Sequence, residues 1–271
     1  MKIFKFIILL LIFNSLYALN PQKEYKVTPD EFGLNYEKIM IPTKDGMQLA
    51  AWFYKSNSDS KKVIIMSGNG EGNMSKSIEM ASQFISLGYN VIAYDYRGFG
   101  ESSEFKINNN FYIYAQFEKD LNAVIDYVRK YYSKFRQLDL YGQGIGAGLA
   151  ISVGCNRPEV NKVVADSPYN TLESIQKKYK EINQTEVMIP LAFDKFVIEP
   201  EYALAERSKN LAGVLFIYGE KDEIYSQKDI RILRKVAKCP TEEYKAIGAT
   251  YENIFSSNKA KYLEALKNFL K

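Results

Sequence analysis

The stretch "YGQGIGAG" (Tyr141–Gly148) decides the fold. Before it, "QLDLYG" (137–142) reads as a short buried strand, and after it Gly146 to Cys155 reads as a helix. Gly142, Gly146 and Gly148 permit a cramped turn and close packing of the helix on the strand. Gly144 stands at the centre of that turn and brings no side-chain atom to it.

Outward from this turn, short apolar runs alternate with longer amphipathic segments. That is the pattern of a mostly parallel sheet with helices on both faces, an α/β architecture. "YEKIMIP" (36–42) and "MQLAAWFY" (47–54) form an opening antiparallel pair around the turn "TKDG". "KVIIMS" (62–67) and "NVIAYDY" (90–96) are buried strands, with a helix expected from Ser75 to Leu87 and a stop at Gly88. A long helix is expected from Tyr112 to Tyr132, because Phe117, Leu121, Val124, Ile125 and Val128 recur at helical spacing. "NKVVADSPY" (161–169), "GVLFIYG" (213–219) and "EEYKAIG" (242–248) supply the remaining strands, and Asn258 to Leu270 a closing helix. Between them, about 171–210 is helical and mixed, broken by Pro190 and Pro200, and reads as a small cap. The reading is one domain over 19–271 with that cap inserted.

Composition narrows the chemistry. The 271 residues include no histidine and two cysteines, Cys155 and Cys239. The usual general base near neutral pH is therefore missing, and so is the commonest metal ligand. Too few ligands remain for a zinc site of the usual kind, so neither metal nor cofactor is expected. The cysteines read as small buried hydrophobes, although an oxidising compartment would permit a bridge. A formal charge of +4, scattered along the chain, gives no nucleic-acid footprint.

The N-terminus, "MKIFKFIILLLIFNSLYALN", has Lys2 and Lys5, then an apolar run from Phe6 to Phe13, then a polar break before Ala18. Residues 1–18 read as a secretory signal peptide, with an uncleaved anchor as the rival. The run is short for a membrane span of about 20 residues. The protein is expected to be exported, periplasmic or secreted, with membrane contact only through this segment if it stays attached.

Five further pieces, in order, carry a resemblance. They are the opening hairpin, "SGNGEGN" (67–73), "DYRGFGESS" (95–103), "GEKDEI" (219–224) and "GATYEN" (248–253). From about Phe32 to the C-terminus the chain resembles the α/β-hydrolase superfamily, in its serine aminopeptidase and lysophospholipase-like branch. The resemblance implies a Gly-x-Ser-x-Gly nucleophile elbow, with the serine on a strained turn. Here that elbow is Gly142-Gln143-Gly144-Ile145-Gly146, so Gly144 occupies the nucleophile position and the serine is lost. The histidine position holds Tyr251, and the acid position survives as Asp222. The oxyanion hole would be backbone N–H groups of Ile145 and of Asn69–Gly70.

A triad needs a histidine to pass the serine proton to the leaving group. A phenol, with a reference pKa of about 10, is a poor acceptor at pH 7. The expectation is a non-catalytic protein of hydrolase fold. Its partner would be a small apolar ligand, a peptide or a protein. The competing reading is an esterase or peptidase with a nonstandard centre. Asp222 has a structural role open to it, accepting loop N–H bonds or bonding the Tyr251 hydroxyl.

Overall fold

The computed structural model describes residues 18–271, so the proposed leader, apart from Ala18, lies outside the described residues. Its strands are β1 (Asn20–Pro21), β2 (Glu37–Pro42), β3 (Gln48–Tyr54), β4 (Lys62–Ser67), β5 (Glu71–Gly72), β6 (Asn90–Tyr94), β7 (Gln137–Gln143), β8 (Val160–Asp166), β9 (Gly213–Gly219) and β10 (Thr241–Ala246). Eight of them form one sheet in the order β10-β9-β8-β7-β4-β6-β3-β2. Every neighbouring pair is parallel except those of β3, which runs against both β2 and β6. The hairpin and the buried parallel strands fall where hydrophobic patterning placed them.

The helices are α1 (Ile78–Ser86), α2 (Phe117–Tyr131), α3 (Ile145–Asn156), α4 (Leu172–Ile182), α5 (Lys195–Ile198), α6 (Pro200–Arg207), α7 (Gln227–Val236), α8 (Ile254–Ser257) and α9 (Lys259–Phe269). On one side of the sheet, Phe117, Leu121 and Val124 of α2 pack with Leu149 and Ile151 of α3 and Ile230 of α7. On the other, Phe84 of α1 and Tyr262 and Leu266 of α9 share a second core with Ile64 and Val91. The sheet is therefore covered on both faces, as a parallel sheet must be. Segments α4 to α6 form the excursion between β8 and β9.

Two local expectations need correction, and one helix is added to them. Helix α2 begins at Phe117, not Tyr112, because the Tyr112 N–H is taken by the Met188 carbonyl, 2.9 Å away. Strand β8 stops at Asp166, because Ser167 has a φ of 58°, which no strand residue adopts. Helix α7, in a segment left unassigned from sequence, places only Ile230, Leu233 and the half-buried Val236 against the core.

One addition matters for the site. Strand β1 pairs in parallel with β5, the loop strand that follows β4. The Asn20 N–H donates to the Gly70 carbonyl and the Gln22 N–H to the Gly72 carbonyl, both at 2.9 Å.

Candidate functional site

The turn between β7 and α3 keeps the form of a nucleophile elbow. Gly144 has φ 55° and ψ −118°, and its N–H donates to the Asp166 carbonyl at 2.9 Å. The flanking glycines are held by packing alone. A Cβ on Gly142 would lie 2.0 Å from the Gly146 carbonyl oxygen, and one on Gly146 2.3 Å from the Ser67 oxygen. On Gly148 it would strike the Tyr169 ring at 2.1 Å. Each glycine is thus required by the approach of helix to strand, with or without catalysis.

At Gly144 the surroundings are different. A Cβ there would meet Asn69 Cβ at 3.3 Å and the Tyr225 hydroxyl at 3.6 Å. The space into which a serine hydroxyl would project is thus bordered by a phenol. Tyr225 is buried, and its hydroxyl lies 3.3 Å from that of Tyr112. Tyr112 stands edge-on to Tyr169 and Tyr179, with centroids at 5.3 and 5.9 Å. Tyr225 stands edge-on to Tyr251 at 5.4 Å. Five tyrosines therefore form one contiguous cluster, and Tyr225 brings it to the elbow.

Asp222, at the end of β9, belongs to the loops. Its Oδ1 accepts the Tyr225 N–H at 2.7 Å, and its Oδ2 accepts the Tyr251 N–H at 2.5 Å. The expected partnership with Tyr251 exists, but through the backbone rather than the phenol. Burial pushes the Asp222 carboxyl up, and these N–H donors oppose the push. Burial raises the Tyr251 phenol as well, helped by the nearby charge of Glu71. A phenol raised above 10 is still less ionised at pH 7, so it offers even less phenolate to take a proton.

Of the residues expected at an oxyanion hole, Gly70 lies against the Ile145 side chain. Gly70 has φ 87°, and a Cβ there would meet Ile145 Cδ1 at 2.9 Å and Leu19 Cδ2 at 2.8 Å. Ile145 opens α3, where the first N–H groups of a helix have no intrahelical acceptor. Asn69 turns its Oδ1 to the Glu71 N–H at 3.1 Å. Glu71 itself is half-exposed and lies 3.4 Å from the Lys76 ammonium.

Ser67, Ser102, Ser167, Cys155 and Cys239 have other surroundings. Ser67 shares a buried hydrogen bond with Tyr94, and Ser102 donates to the Asp95 carbonyl. Ser167 donates to Asp166 at 3.0 Å. Cys155 is a buried free thiol that burial raises above its ordinary value, and Cys239 is free and half-buried. Lys221, beside Asp222, is exposed.

The remaining motif, "DYRGFGESS", is architectural. Arg97 is buried and forks to Asp120 at 2.6 Å and to Asp45 at 2.8 Å. Its hydrogen bonds hold the Asp45 carboxyl well below the usual carboxylate range. Asp95 accepts the Met74 N–H and the Tyr25 hydroxyl, both at 2.6 Å, and so ties the loop before α1 to the N-terminal segment.

A cavity of about 190 Å³ lies beside the elbow, on the α1 side of the sheet. Met66, Met74, Met80, Tyr94, Tyr141 and Phe255 give it an apolar wall, and Asn69 and Gly70 lie at its edge. Asp95 and Asp166 also line it, and burial pushes both carboxyls up to about 7. Gly144, Ile145, Asp222 and Tyr251 are not among its lining residues. Neither this cavity nor the tyrosine cluster has a short-range signal, since the members of each come from several segments far apart in the chain. A total of 21 tyrosines was the one available clue.

The family description "Serine aminopeptidase, S33" matches residues 57–192. The chain belongs to this family. Among curated relatives, the S33 chain is 27% identical over 261 residues to an uncharacterized membrane protein of Saccharomyces cerevisiae, covering 90% of this chain and 82% of that one. It is 26% identical over 238 residues to human alpha/beta hydrolase domain-containing protein 17B, covering 86% and 75%. Among solved structures, the Pyrococcus furiosus esterase Pf2001 superposes on the S33 chain with a TM-score of 0.75 at 20% identity, covering 93% and 97%. That likeness is one of fold, and the α/β-hydrolase architecture is thereby established.

Proposed function

We propose that this S33-family protein has lost acyl transfer and serves as a binding protein of α/β-hydrolase fold. One observation carries the reading: the Tyr225 hydroxyl borders the space above Gly144 that a nucleophile would need. The chain has no histidine, and Asp222 is engaged by loop N–H groups. A triad with two roles empty and the third reassigned has no route for the proton.

The cavity on the α1 side is the binding site in this proposal. Its methionine and aromatic wall suits a small apolar ligand, since thioethers adapt to varied shapes. Asp95 and Asp166, held near neutrality by burial, supply polar ends.

Export belongs to the same proposal. Ala18 and Leu19 are buried, and the Leu19 N–H lies 3.3 Å from the Asn109 carbonyl. Cleavage after Ala18 would put an ammonium charge at that buried nitrogen, which is costly. This supports a retained N-terminal anchor over a cleaved leader.

The deciding test is a purified-protein assay with p-nitrophenyl esters and a fluorophosphonate probe. The expected result is neither turnover nor labelling above a heat-denatured control. Robust labelling of any residue would establish the esterase reading instead. Binding is tested by thermal shift with short-chain fatty acids and acyl esters, where a ligand at 100 times its Kd adds about 2.7 kcal/mol. Met80→Trp, which fills the cavity wall, should abolish the shift.

A further inference from the structure

The register of the sheet sets out a row of residues along the cavity on the α1 side. Val164 of β8 pairs with Tyr141 of β7, Tyr141 with Met66 of β4, and Met66 with Ala93 of β6. These four belong to the core on the α1 face. Two positions further along the chain from each stand Asp166, Gln143, Gly68 and Asp95, and all four line the cavity. Asp166 and Asp95 are the ends of this row, three strand spacings or about 14 Å apart. Asp95 accepts the Met74 N–H ahead of α1, and Asp166 accepts the Tyr262 hydroxyl of α9, so both carboxylates lie on the cavity side of the sheet.

Both carboxylates are buried, and among the described residues neither forms an ion pair. Asp166 accepts the hydroxyls of Tyr262 and Ser167, at 2.8 and 3.0 Å. Asp95 accepts the Tyr25 hydroxyl and the Met74 N–H, both at 2.6 Å. All four donors are neutral. Each carboxylate oxygen takes one of them and keeps a second lone pair open. The other charged residues lining the cavity are paired, Glu71 with Lys76 at 3.4 Å and Glu79 with Lys259 at 2.5 Å. A buried carboxylate is ordinarily matched by a cation or neutralised, and burial raises both of these toward neutrality. Between the two ends, Met66, Met80, Tyr141 and Phe255 give an apolar wall whose aromatic faces attract ammonium groups.

We propose that this cavity binds a linear aliphatic diamine, one ammonium on Asp95 and the other on Asp166, with the carbon chain along the methionine and aromatic wall. An ammonium donates to a carboxylate over about 2.8 Å, so two such contacts within the row leave roughly 8 Å between the nitrogens. A five-carbon chain covers that distance at about 1.2 Å per extended bond. The cavity volume of about 190 Å³ has room for it, since an apolar cavity of about 150 Å³ takes benzene. The inference rests on the α1-side cavity being the binding site, and adds to that reading the charge and length of the ligand.

The test is calorimetric titration of the purified full chain at pH 8, where both carboxyls are ionised, with 1,5-diaminopentane, 1-aminopentane and 1,5-pentanediol. The diamine should bind one per chain, about tenfold tighter than the monoamine and about a hundredfold tighter than the diol, at roughly one factor of ten per charged contact. The shorter 1,3-diaminopropane cannot reach both ends and should do no better than the monoamine. Asp95→Asn and Asp166→Asn should each bring the diamine down to the level of the monoamine, and Met80→Trp should remove binding. Thermal unfolding checks that each variant is folded, and the ligand series on the unaltered chain depends on no variant. A diol as tight as the diamine, with both lost in Met80→Trp, would overturn the charge assignment and leave the cavity as the binding site. If none of these ligands binds, the diamine is ruled out, and the thermal shift with fatty acids and acyl esters judges the cavity separately. Diamine binding that is unchanged in all three variants is attachment to surface carboxylates and rules out the proposal as well.

Discussion

The Tyr225 hydroxyl stands 3.6 Å from the point where a Cβ on Gly144 would sit. A side chain at 144 and the phenol that borders it are thus two separate features of the site. The double variant Gly144→Ser with Tyr251→His restores the named side chains but leaves Tyr225 in place. It should remain at the uncatalysed rate with p-nitrophenyl acetate, and adding Tyr225→Ala should be necessary for any turnover. Activity in the double variant alone would show that Tyr225 gives way.

Gly144→Ser should also cost about 1–3 kcal/mol, because a non-glycine residue would be held at φ 55°. Urea unfolding would measure it. Gly146→Ala should cost more, since its Cβ would press on backbone oxygens of Ser67 and Gly68 at 2.3 and 2.5 Å. Gly33→Ala separates the two effects: φ is 67° there, with nothing within 4 Å. Its cost should stay near 1 kcal/mol.

Removing one partner from the buried Arg97 network should be severe. Arg97→Met leaves Asp120, which is fully buried, without its cation. Such losses run at about 3–5 kcal/mol. Exchanging the exposed Lys61, which pairs with Asp59, should change stability by under about 1 kcal/mol.

Acidity should stabilise this protein over an unusual range. Asp95 and Asp166 have folded pKa values raised to about 7, against about 3.9 unfolded. Between those limits the folded state binds more protons, so stability rises as pH falls from about 7 toward 4. Each shift is worth a few kcal/mol, at about 1.4 kcal/mol per pKa unit. The lowered pKa of Asp45 acts oppositely, but only below about pH 4. Thermal unfolding at pH 5 and pH 8 should show the higher midpoint at pH 5. Asp166→Asn should raise the pH 8 midpoint and flatten the difference; an unchanged slope would refute the assignment.

The sequence carried much of the fold because strands of a covered sheet are continuous apolar runs and glycines mark their turns. β4, β6 and β9 are legible for that reason. The start of α2 was not, since Tyr112 is diverted by Met188, 76 positions away in the chain. The positions Gly144, Asp222 and Tyr251 were legible through the order of motifs. What surrounds them was not: Tyr112, Tyr169, Tyr179 and Tyr225 meet only in three dimensions. Strand β1 was hidden for a related reason, because two residues ending in proline carry no periodicity.

The glycines flanking the elbow are kept in place by steric contact with Ser67, Gly68 and Tyr169. Selection for a folded chain is enough to preserve them whatever stands between them. Glycine spacing in this fold therefore records descent, and by itself it is no enzyme signature. Packing fixes the glycines around the centre of the spacing, and chemistry is left to the residue at the centre and to what surrounds it.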